Sequence, residues 1–372
     1  MKRGRVYLDH NATTPLRAEA RAAMVSAMDV VGNPSSVHAE GRAAKALIER
    51  ARAEVAALVG ARPADVIFCG SATEGAAQIL AMPWQRMFWS GVEHECISAH
   101  VDARWQALDL DAGGRVRRAG LEGGALGRGD LIVVQAGNSE TGVLQPIGDV
   151  AQAAEAAGAV ALIDAVQAAG RCALDCRESM ASAVCLISAH KLGGPKGIAA
   201  LVVPAGFEIA SLIKGGGQEM NRRSGTENVI GIAGFGAASA AVRDDLARGA
   251  WQKVTELRNI LERTIAEVSP ETIFIGKEAD RLPTTSCMLT PGWKGETQVM
   301  QMDLAGFAIS AGSACSSGKV RSSAVLQAMG FDVEAAASAI RVSLGLETRA
   351  EDIDRFAESW GAAVERYRRK VA

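Results

Sequence analysis

Between about residue 60 and residue 204 the sequence alternates short, unbroken apolar runs with alanine-rich segments of helical character, and few folds accept that pattern. The runs are residues 66–68, 87–89, 131–135, 160–164, 183–188 and 198–203, with helical stretches such as 149–157 between them. A strand that is apolar on both faces has to be covered on both faces. The pattern therefore predicts an α/β fold, a mostly parallel sheet with helices on each side. In such sheets ligands sit at the carboxyl ends of the strands. Four run ends carry polar or small residues, at 70–73, 138–140, 164–167 and 188–191, and should converge on one rim.

Beyond the last run come three glycines, Gly215, Gly216 and Gly217, and a polar stretch to Asn228. A helical pattern over about 230–266 predicts one long helix linking two domains. Short strand patterns follow at 272–275, 286–289, 305–310 and 340–343, interleaved with helices and closed by an amphipathic helix over about 351–370. This reads as a smaller α+β domain. At 372 residues the chain has the length for two domains with a substantial core.

Charge narrows the function. Lys plus Arg (40) nearly balances Asp plus Glu (42), which gives no general attraction to nucleic acid or to an anionic membrane. The longest small-apolar stretch, 231–242, is shorter than the roughly 18 residues of a membrane-spanning helix, and the first residues show no apolar leader core. A cytoplasmic protein is expected. The 7 cysteines are an odd number without a C-x-x-C pair, so at least one thiol is unpaired and no metal site is expected.

Four local patterns carry chemistry. Lys191 follows an apolar strand and precedes Gly193 and Gly194, where desolvation favours a Schiff-base nucleophile; a surface loop is the alternative. Asp164 ends another strand, where a carboxylate can hold a pyridinium nitrogen protonated or cap a helix. Ser71, Ala72 and Thr73 form a strand-to-helix turn whose free N–H groups can hold a phosphate, or whose hydroxyls merely cap. Cys315, set among Ser, Gly and Ala, reads as an accessible thiol, unlike Cys185 with its apolar neighbours. A lysine, an acid, a phosphate cup and an accessible thiol together point to pyridoxal phosphate chemistry on a sulfur compound.

With those residues in place the sequence resembles the cysteine desulfurases of the NifS/IscS type, fold type I pyridoxal-phosphate enzymes of the class-V aminotransferase family. The resemblance covers nearly the whole chain: residues 7–15, 32–36, Glu93-His94, 138–142, His190-Lys191, 223–226, the Cys315 segment and 340–345. It implies a seven-stranded, mostly parallel sheet in a large cofactor domain, residues 16–246. A small α+β domain, 1–15 with 247–372, would carry the catalytic cysteine. Lys191 would bind the cofactor covalently and shuttle the substrate α-proton. His94 would lie over the ring and assist proton transfer, Asp164 would pair with the ring nitrogen, and Gln167 would bond the phenolic oxygen. Ser71, Ala72, Thr73, Ser188 and His190 would hold the phosphate, with Asn138 and Ser139 beside the cofactor. Thr226 would reach the phosphate of a neighbouring subunit, implying a homodimer. Arg341 would grip the substrate carboxylate, with Asn33 also on the substrate side.

The implied reaction converts L-cysteine to L-alanine and leaves a persulfide on Cys315. The Cys315 segment resembles the long-loop subgroup, which hands sulfur to an acceptor or scaffold protein for iron–sulfur clusters or other sulfur cofactors. Three departures from the family pattern stand out: Ser139 in place of a second asparagine, Gly75-Ala76-Ala77 where Ser and Asn are common, and Met220 where Arg is typical. The alternatives are a related enzyme, a selenocysteine lyase or an aminotransferase, and a weakly active paralogue serving as a binding subunit.

Overall fold

The computed structural model describes residues 4–121, 125–312 and 322–371. In chain order, β1 (Val6–Tyr7), α1 (Ala18–Met28) and α2 (Ala39–Leu58) come first. The alternating region follows as β2 (Val66–Cys69), α3 (Ala72–Leu80), β3 (Met87–Trp89), α4 (Glu95–Ser98), β4 (Trp105–Ala107), β5 (Leu131–Gln135), α5 (Ile147–Ala157), β6 (Val160–Asp164), β7 (Ala183–Ser188) and β8 (Ala199–Val202). Two long helices, α6 (Val229–Ala247) and α7 (Trp251–Val268), lead out of it. The remainder is β9 (Ile273–Phe274), β10 (Thr285–Leu289), α8 (Gly295–Leu304), β11 (Phe307–Ala308), β12 (Ser310–Ala311), α9 (Ala324–Ala328), α10 (Val333–Ala337), β13 (Ala339–Ser343) and α11 (Ala350–Val371).

Every residue of β2, β5 and β7 is buried, which is why these strands read as continuous apolar runs. They belong to one seven-stranded sheet with the order β2-β8-β7-β6-β5-β3-β4. It is the α/β sheet the runs predicted, parallel except for β8, which opposes both of its neighbours. The link from β7 to β8 is too short for a crossover, so the chain turns back on itself. Gln135 lies level with Asp164, Asp164 with Leu186, and both Cys69 and Ser188 with Ala199. The carboxyl ends of β2, β5, β6 and β7 therefore share one edge.

On one face of the sheet Phe68, Val134 and Ile163 pack with Ile48, Val55 and Phe235 from α2 and α6. On the other, Ile67, Val133, Leu162 and Leu186 pack with Ile79 of α3. A separate cluster of Leu8, Leu261, Trp293, Phe307, Phe356 and Trp360 lies with the four-stranded sheet β12-β13-β10-β9. Burying side chains of this size contributes about 1.5–3 kcal/mol each.

Two expectations change. The helix expected over 230–266 is two helices: Gly249 has φ +68°, and the N–H of Ala250 closes onto Asp245 O, which ends α6 in a left-handed cap. The single strand expected over 305–310 divides at Ile309. Phe307–Ala308 pairs in parallel with β1, whereas Ser310–Ala311 pairs with β13. No helix among the described residues is long and apolar enough to cross a membrane.

Candidate active site

The level strand ends open into a cavity of about 500 Å³, whose lining includes Ser71, Ala72, Thr73, His94, Ser139, Asp164, Gln167, Ser188, His190 and Lys191. The expected convergence of the four run ends on one rim is what the structure shows. Thr13, Cys96, Gln135 and Lys196 complete parts of the wall.

At one end sits the N-terminus of α3. Ser71 is extended and its Oγ accepts from the N–H of Glu74 at 3.1 Å, so the hydroxyl does act as a cap. The early N–H groups of the helix lack intrahelical acceptors, and the helix dipole adds partial positive charge there. Glu74 is engaged behind them, accepting from Gly70 N–H at 2.8 Å and from Arg223 Nε at 2.9 Å. Gly75 faces away from the cavity: a Cβ on it would come within 2.8 Å of Leu186 Cδ1. That departure from the family pattern serves the packing of α3 on the sheet.

Lys191 ends a short 3₁₀ turn after β7, and its Nζ donates to the carbonyls of Asn11 at 2.6 Å and Ala12 at 2.9 Å. Asp164 is buried at the end of β6, with Oδ1 accepting from Val166 N–H at 3.0 Å. Burial raises its pKa above the ordinary carboxylate value, and His94 and Lys191 pull it back in part. No helix follows Asp164, so the capping alternative gives way to a local turn. The Nδ1 of His94 accepts from Cys96 N–H at 3.1 Å, which puts the proton of the neutral ring on Nε2. His190 is pushed down to about 4 by burial first and then by Lys191, Lys196 and Arg171, and its Nδ1 lies 3.2 Å from Thr13 Oγ1.

Asn138 is not in the wall. Its Oδ1 accepts from the N–H groups of Glu140 and Thr141, both at 2.8 Å, and its Nδ2 donates to Val92 O, so the side chain is used up in shaping the turn. Ser139 faces the cavity, while its carbonyl accepts from Asn11 Nδ2 and Arg341 Nη1, each at 3.0 Å. Arg341 is buried on β13 rather than sitting in a surface ion pair. It binds Asp9 Oδ1 at 2.7 Å, and its Nε has no partner among the described residues.

Asn33 is exposed and outside this chain's own cavity lining, and its Oδ1 accepts from Ser35 N–H at 2.9 Å in a local turn. Thr226 is likewise exposed and outside this chain's own cavity. Cys315 lies outside the described residues. Just past it in sequence, Ser323 Oγ donates to the buried Glu140 Oε2 at 2.6 Å.

Sequence reasoning missed a hub behind the cavity. Asn11 accepts on its carbonyl from Lys191 Nζ and Gln167 Nε2, and on Oδ1 from Arg171 Nη1. Asn11 lies within the 7–15 segment, but no local signal ties it to residues more than 150 positions away. Cys176 Sγ lies 3.2 Å from Cys185 Sγ.

The chain matches the class-V aminotransferase family over residues 6–356. It is 38% identical over 370 residues to a cysteine desulfurase of Cereibacter sphaeroides, spanning 95% of this chain and 94% of that protein. A NifS-like protein from Rickettsia africae has a similar structure, with a TM-score of 0.88 at 32% identity over 97% of this chain and 99% of that one. A structure described as SspA in complex with cysteine aligns with a TM-score of 0.76 at 26% identity, covering 91% of this chain and 98% of that one. A likeness that extends over nearly the full length of both partners, in sequence and in fold, settles the family: the chain belongs to the cysteine desulfurases of the class-V aminotransferases.

Proposed function

We propose that this protein is a pyridoxal-phosphate-dependent enzyme that converts L-cysteine to L-alanine and takes the sulfur onto Cys315. One observation carries the reading: Lys191, Asp164, His94 and the N-terminus of α3 all face a single cavity. These residues fit the cofactor. The helix N-terminus offers N–H donors to a phosphate, with Ser188 and His190 beside it, and the neutral His190 ring leaves that end without an extra fixed charge. Asp164 is a buried acid for a ring nitrogen, and its raised pKa would fall again on gaining a cationic partner. The cavity lies within the 300–1,000 Å³ range usual for a small-molecule site. When bound, pyridoxal phosphate supplies an electron sink for the electron pair released at the substrate α-carbon.

The chain's own residues do the rest. Lys191 holds the cofactor and moves the α-proton, and His94 carries an exchangeable proton at Nε2 on the cavity wall. Gln167 would donate to the phenolic oxygen of the bound cofactor. Arg341 keeps N–H groups beyond those used on Asp9 and Ser139, and the fixed fork of a guanidinium suits a substrate carboxylate. The Cys315 thiolate attacks the substrate sulfur: the Cβ–S bond breaks, an S–S bond forms on Cys315, and Cβ takes a proton to leave L-alanine. Thr226, exposed on this chain, would reach the phosphate in a neighbouring subunit, so the enzyme acts as a homodimer that passes sulfur to an acceptor protein. The separate packing of the two cores supports a division into residues 16–246 and a second unit of 1–15 with 247–372.

Mass spectrometry after incubation with L-cysteine tests this reading. Added sulfur on Cys315 together with released alanine is expected. Cys315→Ser should still take up cofactor and bind cysteine but form no persulfide. Alanine and sulfide at the wild-type rate from Cys315→Ser would mean that sulfur leaves without a protein acceptor.

A further inference from the structure

Arg171 is 4% exposed, and among the described residues it forms no ion pair. Its guanidinium serves neutral oxygens only. Nη1 donates to Asn11 Oδ1 at 2.9 Å, to Gln167 Oε1 at 2.5 Å and to Gln167 O at 3.4 Å. Nη2 donates to His10 O at 3.2 Å and Lys191 O at 3.3 Å. Burial pushes its pKa down to about 10, which still leaves it charged near neutral pH. Arg171 does not line the 500 Å³ cavity; it stands behind Gln167, which does.

An arginine can donate a hydrogen bond but cannot accept one, whereas a glutamine amide offers an oxygen at one corner and an NH₂ at the other. The oxygen of Gln167 must therefore face Arg171. The NH₂ is turned away, with one hydrogen on Asn11 O at 3.0 Å and the second left for the cavity. We propose that Arg171 is a positioning residue that fixes the Gln167 amide with Nε2 toward the cavity, so that the phenolic oxygen of the cofactor meets a donor and never an acceptor. This rests on the reading of the cavity as a pyridoxal phosphate site.

The visible band of the lysine-linked cofactor changes as one proton leaves, and the deprotonated form carries more negative charge near the phenolic oxygen. A donor aimed at that oxygen lowers the pH midpoint of the change. Holoenzymes of the wild type, Gln167→Leu, Arg171→Gln, Arg171→Lys and the double variant Arg171→Gln with Gln167→Leu are titrated by absorbance. Gln167→Leu and Arg171→Gln should each raise the midpoint by about one pH unit. The double variant should shift no further than the larger single shift, because both act through one amide. Arg171→Lys remains an obligate donor and should stay near the wild-type midpoint. Arg171→Met, with no donor at all, should give the same rise, and it carries the test if glutamine is not tolerated there.

A moved midpoint in Gln167→Leu beside an unmoved one in Arg171→Gln or Arg171→Met would overturn the role of Arg171 and leave the reading of Gln167 intact. Additive shifts in the double variant would show that Arg171 acts by its charge alone, and would also overturn the proposal. An unmoved midpoint in Gln167→Leu would overturn this proposal and leave the cofactor reading standing, whereas wild-type protein that takes up no pyridoxal phosphate would bring down both.

Discussion

Lys191 and Arg341 both rest on groups contributed by distant parts of the chain. The lysine amine rests on two carbonyls of the 11–12 segment, and the guanidinium rests on Asp9 and a carbonyl. On the proposed function, Lys191→Ala would remove both the cofactor's anchor and the proton carrier. The rate should fall by at least about 10²-fold, and borohydride reduction followed by peptide mapping should find no pyridoxyl group elsewhere in the chain. Arg341→Ala should act on substrate capture, raising KM by roughly 10- to 100-fold with a smaller effect on kcat, as steady-state kinetics would show. An unchanged KM would leave Arg341 a purely structural partner of Asp9. At this scale the sequence was informative where a residue's place depends on the end of its own strand, as for Asp164 and Lys191, which both line the cavity. It was silent where a side chain's partners are set across the fold. Nothing near Asn138 announces that its side chain is spent on Glu140, Thr141 and Val92, and nothing near Asn11 names Arg171.

Among the elements, the interior strands were legible almost to the residue because a strand buried on both faces has no polar positions to blur its ends. β4 was not. It is a three-residue edge strand, Trp-Gln-Ala, with two of its positions exposed, and such a segment carries no period to read. The turn between α6 and α7 was hidden because its residues continue a helical composition and only the left-handed Gly249 interrupts it. α6 also shows what its glycines are for. A Cβ on Gly236 would lie 2.5 Å from Ala51 Cα, so the backbones of α2 and α6 meet where no side chain fits. Gly236→Ala should therefore push the helices apart and cost about 1–3 kcal/mol of stability, against the few tenths expected from an ordinary exposed site. Denaturant unfolding would measure it, and an unchanged midpoint would show that the pair can slide.

Across the whole molecule, stability should depend on acid. Burial, followed by the nearby Arg171, pushes His10 down to about 4 from its ordinary value of 6.5. A group whose folded pKa is depressed stabilises the fold fully above the unfolded value and loses that contribution as pH falls toward the folded one. The denaturation midpoint should hold above about pH 7 and fall between pH 6.5 and 4, with His10 responsible for at most about 3 kcal/mol of the drop. His10→Asn should make that limb shallower, with His190, likewise pushed down to about 4 by burial, keeping a share of it; an equally steep loss in the variant would assign it to other groups. The same segment that carries His10 ties distant parts of the chain together. β1 pairs with β11, Asp9 reaches Arg341 and Ser310, and Asn11 touches Gln167, Arg171, Thr285 and Lys191. Asp9 and Arg341 stand 332 positions apart. On the ribosome the early half of that pair emerges long before the late half has been translated. A nascent chain can assemble the large sheet while residues 6–12 still wait for their partners. The contact between Asp9 and Arg341 is therefore closed only near the end of synthesis, and a chain that stops before residue 341 leaves Asp9 without that partner.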